Sequence, residues 1–266
     1  MKTRAAQQPR SKDGVGPSSV ALPAGTWPTI IDFLCAHFPA IPFAEWQARM
    51  DRGDVIDASG RALTVDSAYQ PHSKIYYYRS LPAEPRIPFD EVVLYQDDYL
   101  LVVDKPHFLP VTPAGRYLQE TLLVRLKRSL GIDTLAPMHR IDRETAGLVL
   151  FTIQPQTRNL YQTLFRERSV SKEYEAIAPL SDTLDLPTIY RSRLVESDAF
   201  MKMCEVAGEP NAETAISLLE TRDTLGRYLL QPVSGQKHQL RAHMAALGIP
   251  IAVSYTHLTL PTTPYV

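Results

Sequence analysis

A chain of 266 residues, 44% hydrophobic and 21% charged, is long enough for one large or two modest domains with a proper core. No apolar run approaches the roughly 20 residues of a membrane-spanning helix, and the polar start (Arg4, Gln7, Gln8, Arg10, Lys12) lacks the apolar stretch of a signal peptide, so a soluble protein of the cytoplasm is expected. The net charge of −1 argues against a uniformly basic polyanion binder, but the average hides a segregation. The first twelve residues carry only positive charges, residues 116–172 have a modest basic excess, and 181–223 are acid-rich, which leaves room for nucleic acid on one face.

Cys35 and Cys204 are few and far apart, so neither a disulfide framework nor a cysteine zinc site is suggested. Residues 1–22 mix charge, Gly, Ser and Pro without apolar periodicity and read as a flexible tail. Apolar residues near helical spacing predict a helix over 29–38, and 42–50 suggests a second one containing Trp46. Turn-separated β-type runs at 52–57 and 73–78 then close a small unit over 23–81. The three prolines of 82–88 lack backbone donors and mark an extended linker over 82–90, with a larger domain following over 91–253.

In that domain, 92–95 and 99–103 form a plausible hairpin leading into Lys105-Pro106. A helix is predicted over 118–130, ended by Gly131, then a strand over 147–153 and a helix from Pro155 to Phe165. Strands follow at 170–178, 213–219 and 228–233, with a turn at 223–226, and a last helix spans 235–247 before Gly248.

Three stretches carry candidate chemistry. In His139-Arg140-Ile141-Asp142-Arg143-Glu144-Thr145-Ala146-Gly147, an acid between two arginines precedes an apolar strand, so it lies where a loop enters a sheet. Neighbouring positive charge favours the ionised carboxylate as a nucleophile or base, and an Arg–Asp pair bracing a loop is the other reading. In Lys172-Glu173-Tyr174-Glu175, strand alternation puts Lys172 and Tyr174 on one face. Tyr174 there stacks on a base or moves a proton, or else is a core tyrosine at a sheet edge. In Ser234-Gly235-Gln236-Lys237-His238-Gln239-Leu240-Arg241-Ala242-His243, helical spacing aligns Lys237, Leu240 and Arg241 on one side and Gln239 with His243 on another.

The order Asp104-Lys105-Pro106, then the His139 block through Phe151, then Lys172-Glu173-Tyr174, then 235–244 resembles the RluA-type family of RNA pseudouridine synthases over about 91–251. Residues 23–81 resemble the small alpha-L RNA-binding module that precedes such domains. The resemblance implies an α+β fold: a mixed, largely antiparallel central sheet with flanking helices and a catalytic cleft, preceded by a small α/β RNA-binding domain. It also implies detachment of uracil from its ribose, rotation, and rejoining through carbon 5, in the structured RNA of a bacterium, ribosomal RNA ahead of transfer RNA. By resemblance Asp142 is the nucleophile, Arg241 the arginine that pairs with it, and Tyr174 the tyrosine that stacks on the uracil and takes part in proton removal. Arg140 would fill the gap left by the flipped base. Arg143, Lys105, Lys172 and Lys237 would contact RNA, with His139 and His238 orienting groups or holding phosphates, and His243 falls in the same class. No cofactor, no metal and no obligate protein partner is implied, and a monomer is expected.

The chain departs from the family pattern at His107-Phe108, at Ala146 and at Gln236, which reshape the pocket rim and remove one phosphate contact. Residues 254–266 resemble translated adapter sequence, so the natural C-terminus is expected to be missing. Two other functions compete. One is an RNA-binding or chaperoning protein with an idle site, which intact Asp142, Tyr174 and Arg241 argue against. The other is a carboxylate glycoside hydrolase, for which Glu144 is the only nearby second acid.

Overall fold

The structure, a computed structural model, describes residues 9–79, 81, 83–197 and 203–252. The expectations for 1–8 and 253–266 lie outside the described residues. Two compact units emerge, one from residues 1–85 with 113–133 and the other from 86–112 with 134–266.

The first unit holds a three-stranded antiparallel sheet ordered β1-β3-β2, with β1 at Ser18–Ala21, β2 at Val55–Asp57 and β3 at Lys74–Tyr77. Residues 9–22, expected in the flexible tail, are therefore folded in part. β1 pairs with β3, and Val15, Val20 and Leu22 are buried, because a four-residue strand needs only one inward apolar side chain per two positions and gives little periodic signal. Two helices cover the sheet, α1 at Ile30–His37 and α2 at Phe43–Asp51. Thr29 and Asp32 cap α1 reciprocally, each side chain accepting the other's backbone N–H. Its apolar face meets Trp46 of α2 in one core.

The segment 113–133, expected within the larger domain, groups with this first unit. The Glu84 carboxylate accepts the backbone N–H groups of Leu118, Gln119 and Glu120, each at 2.8 Å, and Val15 packs with Leu118 and Val124. Those three donors explain why α3 spans Leu122–Leu130 rather than starting at 118. Thr121 caps it, and Gly131 ends it in the left-handed region at φ 68°.

The second unit is α+β with two antiparallel sheets where one was expected. The four-stranded sheet is ordered β4-β5-β7-β6, from β4 at Val92–Gln96, β5 at Leu100–Lys105, β6 at Ala136–Pro137 and β7 at Gly147–Thr152. The helix α4 at Arg158–Arg166 follows it. The five-stranded sheet is ordered β10-β9-β11-β12-β8, from β8 at Tyr174–Pro179, β9 at Thr188–Glu196, β10 at Met203–Val206, β11 at Ala212–Arg222 and β12 at Leu225–Pro232. β9 and β10 have no counterpart in the sequence reading. β9 alternates intermediate and exposed positions carrying Arg191, Arg193 and Glu196, with only Leu194 deeply buried, so no apolar run announces it.

The helix α5 at Gln239–Ala246 packs Met244 and Leu240 against the five-stranded sheet. It begins four residues later than the predicted span, because His238 takes a left-handed conformation at φ 50°. Lys237 therefore precedes the helix and shares no helical face with Arg241. Gln239 and His243 do share one, and both hydrogen-bond Thr214 Oγ1, at 3.0 Å each.

Candidate active site

The loop 139–146 runs into β7 through Gly147, whose φ of 114° only glycine adopts without strain. A turn closes inside the loop, Thr145 N–H donating to the Asp142 carbonyl at 3.1 Å. The register of the four-stranded sheet sets Lys105, the last residue of β5, opposite Gly147. Its ammonium donates to the carbonyls of Pro106 and Leu109 at 2.8 Å and of Arg143 at 3.2 Å, three acceptors for three N–H groups. Lys105 is 0% exposed. Burial pushes its pKa down to about 7, against the pull of the Glu144 and Asp142 carboxylates. The RNA contact expected of Lys105 is thus corrected: it is an internal strut tying the loop after β5 to the loop that carries Asp142.

Asp142 lines a cleft of about 780 Å³, together with Tyr174 and Arg241. Arg241, in the first turn of α5, donates from Nε to Asp142 Oδ2 at 2.8 Å, a charge-assisted bond that fixes the carboxylate. His238 Nε2 lies 3.8 Å from the other carboxylate oxygen. Tyr174, at the start of β8, packs against the core under α5, and burial, with the nearby Asp142 charge second, raises its pKa above the usual phenol value. The phenol is therefore neutral near pH 7 and presents an apolar ring and a proton to donate.

Glu144 is 3% exposed and sits between two guanidiniums. Arg143 reaches its Oε1 with Nη2 at 2.6 Å and Nε at 2.8 Å, and Arg241 Nη2 lies 3.5 Å from its Oε2. Two acids and two arginines thus alternate in the order Asp142, Arg241, Glu144, Arg143. A glycoside hydrolase needs its second acid free to face a scissile bond or a water. Glu144 is buried and engaged by two arginines, which removes the observation that favoured that reading.

The remaining site residues divide between rim and scaffold. Arg140 and Arg166 are exposed on the cleft, Arg166 unforeseen from sequence, and Arg140 has no hydrogen bond or ion pair among the described residues. Lys172 lines the same cleft while donating to the Ser234 carbonyl at 2.6 Å, and Lys237 pairs at its edge with Glu196 at 2.9 Å. His139, expected to orient neighbours or hold phosphate, lines the cleft and is engaged in the scaffold. Its Nε2 accepts the Leu150 N–H at 3.2 Å, its ring stacks on Phe165, and burial holds its pKa down to about 4. His243 is wholly buried between Thr214 and Ser192 hydroxyls and touches no substrate space. Among the described residues no group of three or more His, Cys, Asp or Glu side chains could hold a metal, no helix is long and apolar enough to cross a membrane, and both cysteines are free thiols.

His139 makes a pH prediction. In the unfolded chain its imidazole takes up a proton at its ordinary value of 6.5, whereas the folded state resists until about 4. The unfolded state binds more protons in between, so the stability contributed is full above 6.5 and is lost as pH falls to 4, about 3 kcal/mol in all. The melting temperature of the wild type should therefore fall more steeply over that window than that of His139→Gln, whose amide oxygen can still accept the Leu150 N–H. Parallel curves would show that the imidazole is not held neutral.

Comparison with known proteins supplies the family. The family model for RNA pseudouridylate synthase matches residues 99–246, more than half of the chain. The dual-specificity RNA pseudouridine synthase RluA of Escherichia coli O6:H1 is 34% identical over 180 residues, 64% of this chain and 76% of that one. An uncharacterized RNA pseudouridine synthase of Synechocystis sp. is 28% identical over 230 residues, 84% of this chain and 77% of its own. Among solved structures, human RNA pseudouridylate synthase domain containing 1 aligns with a TM-score of 0.55 at 22% identity, covering 66% of this chain and 74% of that one, and so shares the fold. With the greater part of its length matched in this way, and with motifs of the RluA type, the chain belongs to the RNA pseudouridylate synthase family.

Proposed function

We propose that Asp142 is the nucleophile with which this pseudouridine synthase isomerises chosen uridines of structured RNA, ribosomal RNA ahead of transfer RNA. The observation that carries the reading is the Asp142 carboxylate held at 2.8 Å by Arg241 in the same cleft that Tyr174 lines. Atoms balance without a co-reactant: the bond from the ribose carbon 1′ to uracil N1 breaks, a bond from that carbon to uracil carbon 5 forms, the carbon 5 proton leaves, and N1 ends with a proton. A carboxylate supplies the electron pair that assists the first cleavage, by attack on the sugar or on the base.

Tyr174 acts first as the platform for the detached uracil, because a neutral phenol with a raised pKa is a poor resting base. The uridine must leave its stack to reach Asp142, at a cost of a few kcal/mol. Arg140, exposed on the rim, fills the place it leaves, while Arg143, Lys172, Lys237 and His238 steady the backbone around it. Residues 23–81 grip the RNA as an alpha-L module, with Arg61 and Lys74 exposed for that purpose. On this reading the enzyme works in the bacterial cytoplasm as a monomer and needs no cofactor.

The reading is tested by incubating the purified chain with unmodified ribosomal and transfer RNA transcripts and mapping pseudouridine in the products. Site-limited pseudouridine in the ribosomal transcript is the expected result. Release of free uracil, or no change in either RNA at protein concentrations that saturate binding, would overturn it.

A further inference from the structure

A second, hidden acid lies beside Arg241. We propose that Glu144 is a positioning residue for the reaction: it meets no RNA, and locks the Arg241 guanidinium so that Nε, rather than another N–H, faces Asp142. The proposal rests on the reading of Asp142 as the nucleophile. A guanidinium offers five N–H groups in a rigid plane, and with one carboxylate partner it can dock end-on or side-on. Glu144 Oε2 lies 3.5 Å from Arg241 Nη2, an ion-pair distance without a hydrogen bond, and its charge favours the setting that turns that end of the plane toward it.

Glu144 is itself firmly held. Arg143 takes its Oε1, His107 Nδ1–H donates to its carbonyl at 2.6 Å, and Lys105 secures the preceding carbonyl of Arg143. Both peptide units around the acid are thus anchored from the β5 side, which makes it a rigid support. A buried ion pair adds little stability over an apolar substitute, so the tetrad is better explained by the geometry it imposes than by energy.

Kinetics of tritium release from RNA labelled at uracil carbon 5 test this. Glu144→Gln should lower kcat about 10- to 100-fold with KM within about threefold, the signature of a misplaced catalytic group, and Glu144→Asp should recover part of the loss. Introduced into Arg241→Met, the same Gln should cost less than about twofold more, because its effect runs through Arg241. A folded Glu144→Gln enzyme with unchanged kcat, or a full additive loss in the Arg241→Met background, overturns the assignment. If Glu144→Gln does not fold, Glu144→Asp decides: a folded enzyme with lowered kcat and unchanged KM supports the role, and wild-type kcat refutes it. Activity in Asp142→Asn would instead sink the underlying reading, whereas a dead Asn variant beside a fully active Glu144→Gln sinks this proposal alone.

Discussion

Exchanging Asp142 for Asn should end uridine isomerisation, a loss of roughly 10³-fold or more, while RNA binding stays within a few-fold of wild type. The two side chains have the same shape. The amide oxygen can still accept the Arg241 Nε–H, so the 2.8 Å contact and the setting of α5 survive the exchange. What disappears is the negative charge and with it the electron pair available for attack. On the proposed reading RNA capture relies on the rim and not on this carboxylate, which in any case repels phosphate. Filter binding of labelled RNA and tritium release from uracil carbon 5, measured on one preparation, separate the two effects. Substantial turnover by a folded Asn enzyme would remove Asp142 from the nucleophile's role.

The second large effect falls on stability. Lys105→Met keeps the length of the side chain but leaves the buried Leu109 carbonyl and the part-buried carbonyls of Pro106 and Arg143 without their donor. Each orphaned acceptor costs about 1–3 kcal/mol, and relief from burying a charge offsets part of the sum. A net loss of about 2–4 kcal/mol, lowering the melting temperature by about 5–10 °C, is expected. The exposed Lys74→Met should stay within about 0.5 kcal/mol of wild type. A Lys105→Met protein that melts with the wild type would show that the ammonium is not a strut.

Local chemistry was legible in the sequence where neighbouring residues carry it. Asp142 before a glycine and a β-run, Tyr174 opening a strand, and Arg241 within a helix all stand in the elements expected for them, and the cleft gathers the three. Burial was not legible. Lys105 at a strand end reads as a surface charge, and only its pairing opposite Gly147 puts it inside. Glu144 was visible only as a spare acid, although the adjacent Arg143 was a usable hint of an internal network. β9 escaped notice because its inward face is mostly part-exposed, and α5 was drawn too long because nothing in the sequence marks His238 for a left-handed conformation. The assignment of 113–133 depended on Glu84, a residue of the expected linker whose carboxylate holds three distant N–H groups.

The chain Asp142, Arg241, Glu144, Arg143 sums to zero charge, and that has a consequence for ionic strength. The heart of the cleft contributes almost nothing to the long-range attraction of a polyanion. That attraction must come from the rim, from Arg140, Arg166 and Lys172, where charges are open to screening and mobile ions compete with phosphate. The inner pairs are close and only partly exposed, so added salt weakens them less than it weakens the rim. Salt therefore governs how readily an RNA arrives and leaves the chemistry done on an RNA already seated unchanged. On the proposed reading, capture and conversion become two electrostatically separable stages within one cleft.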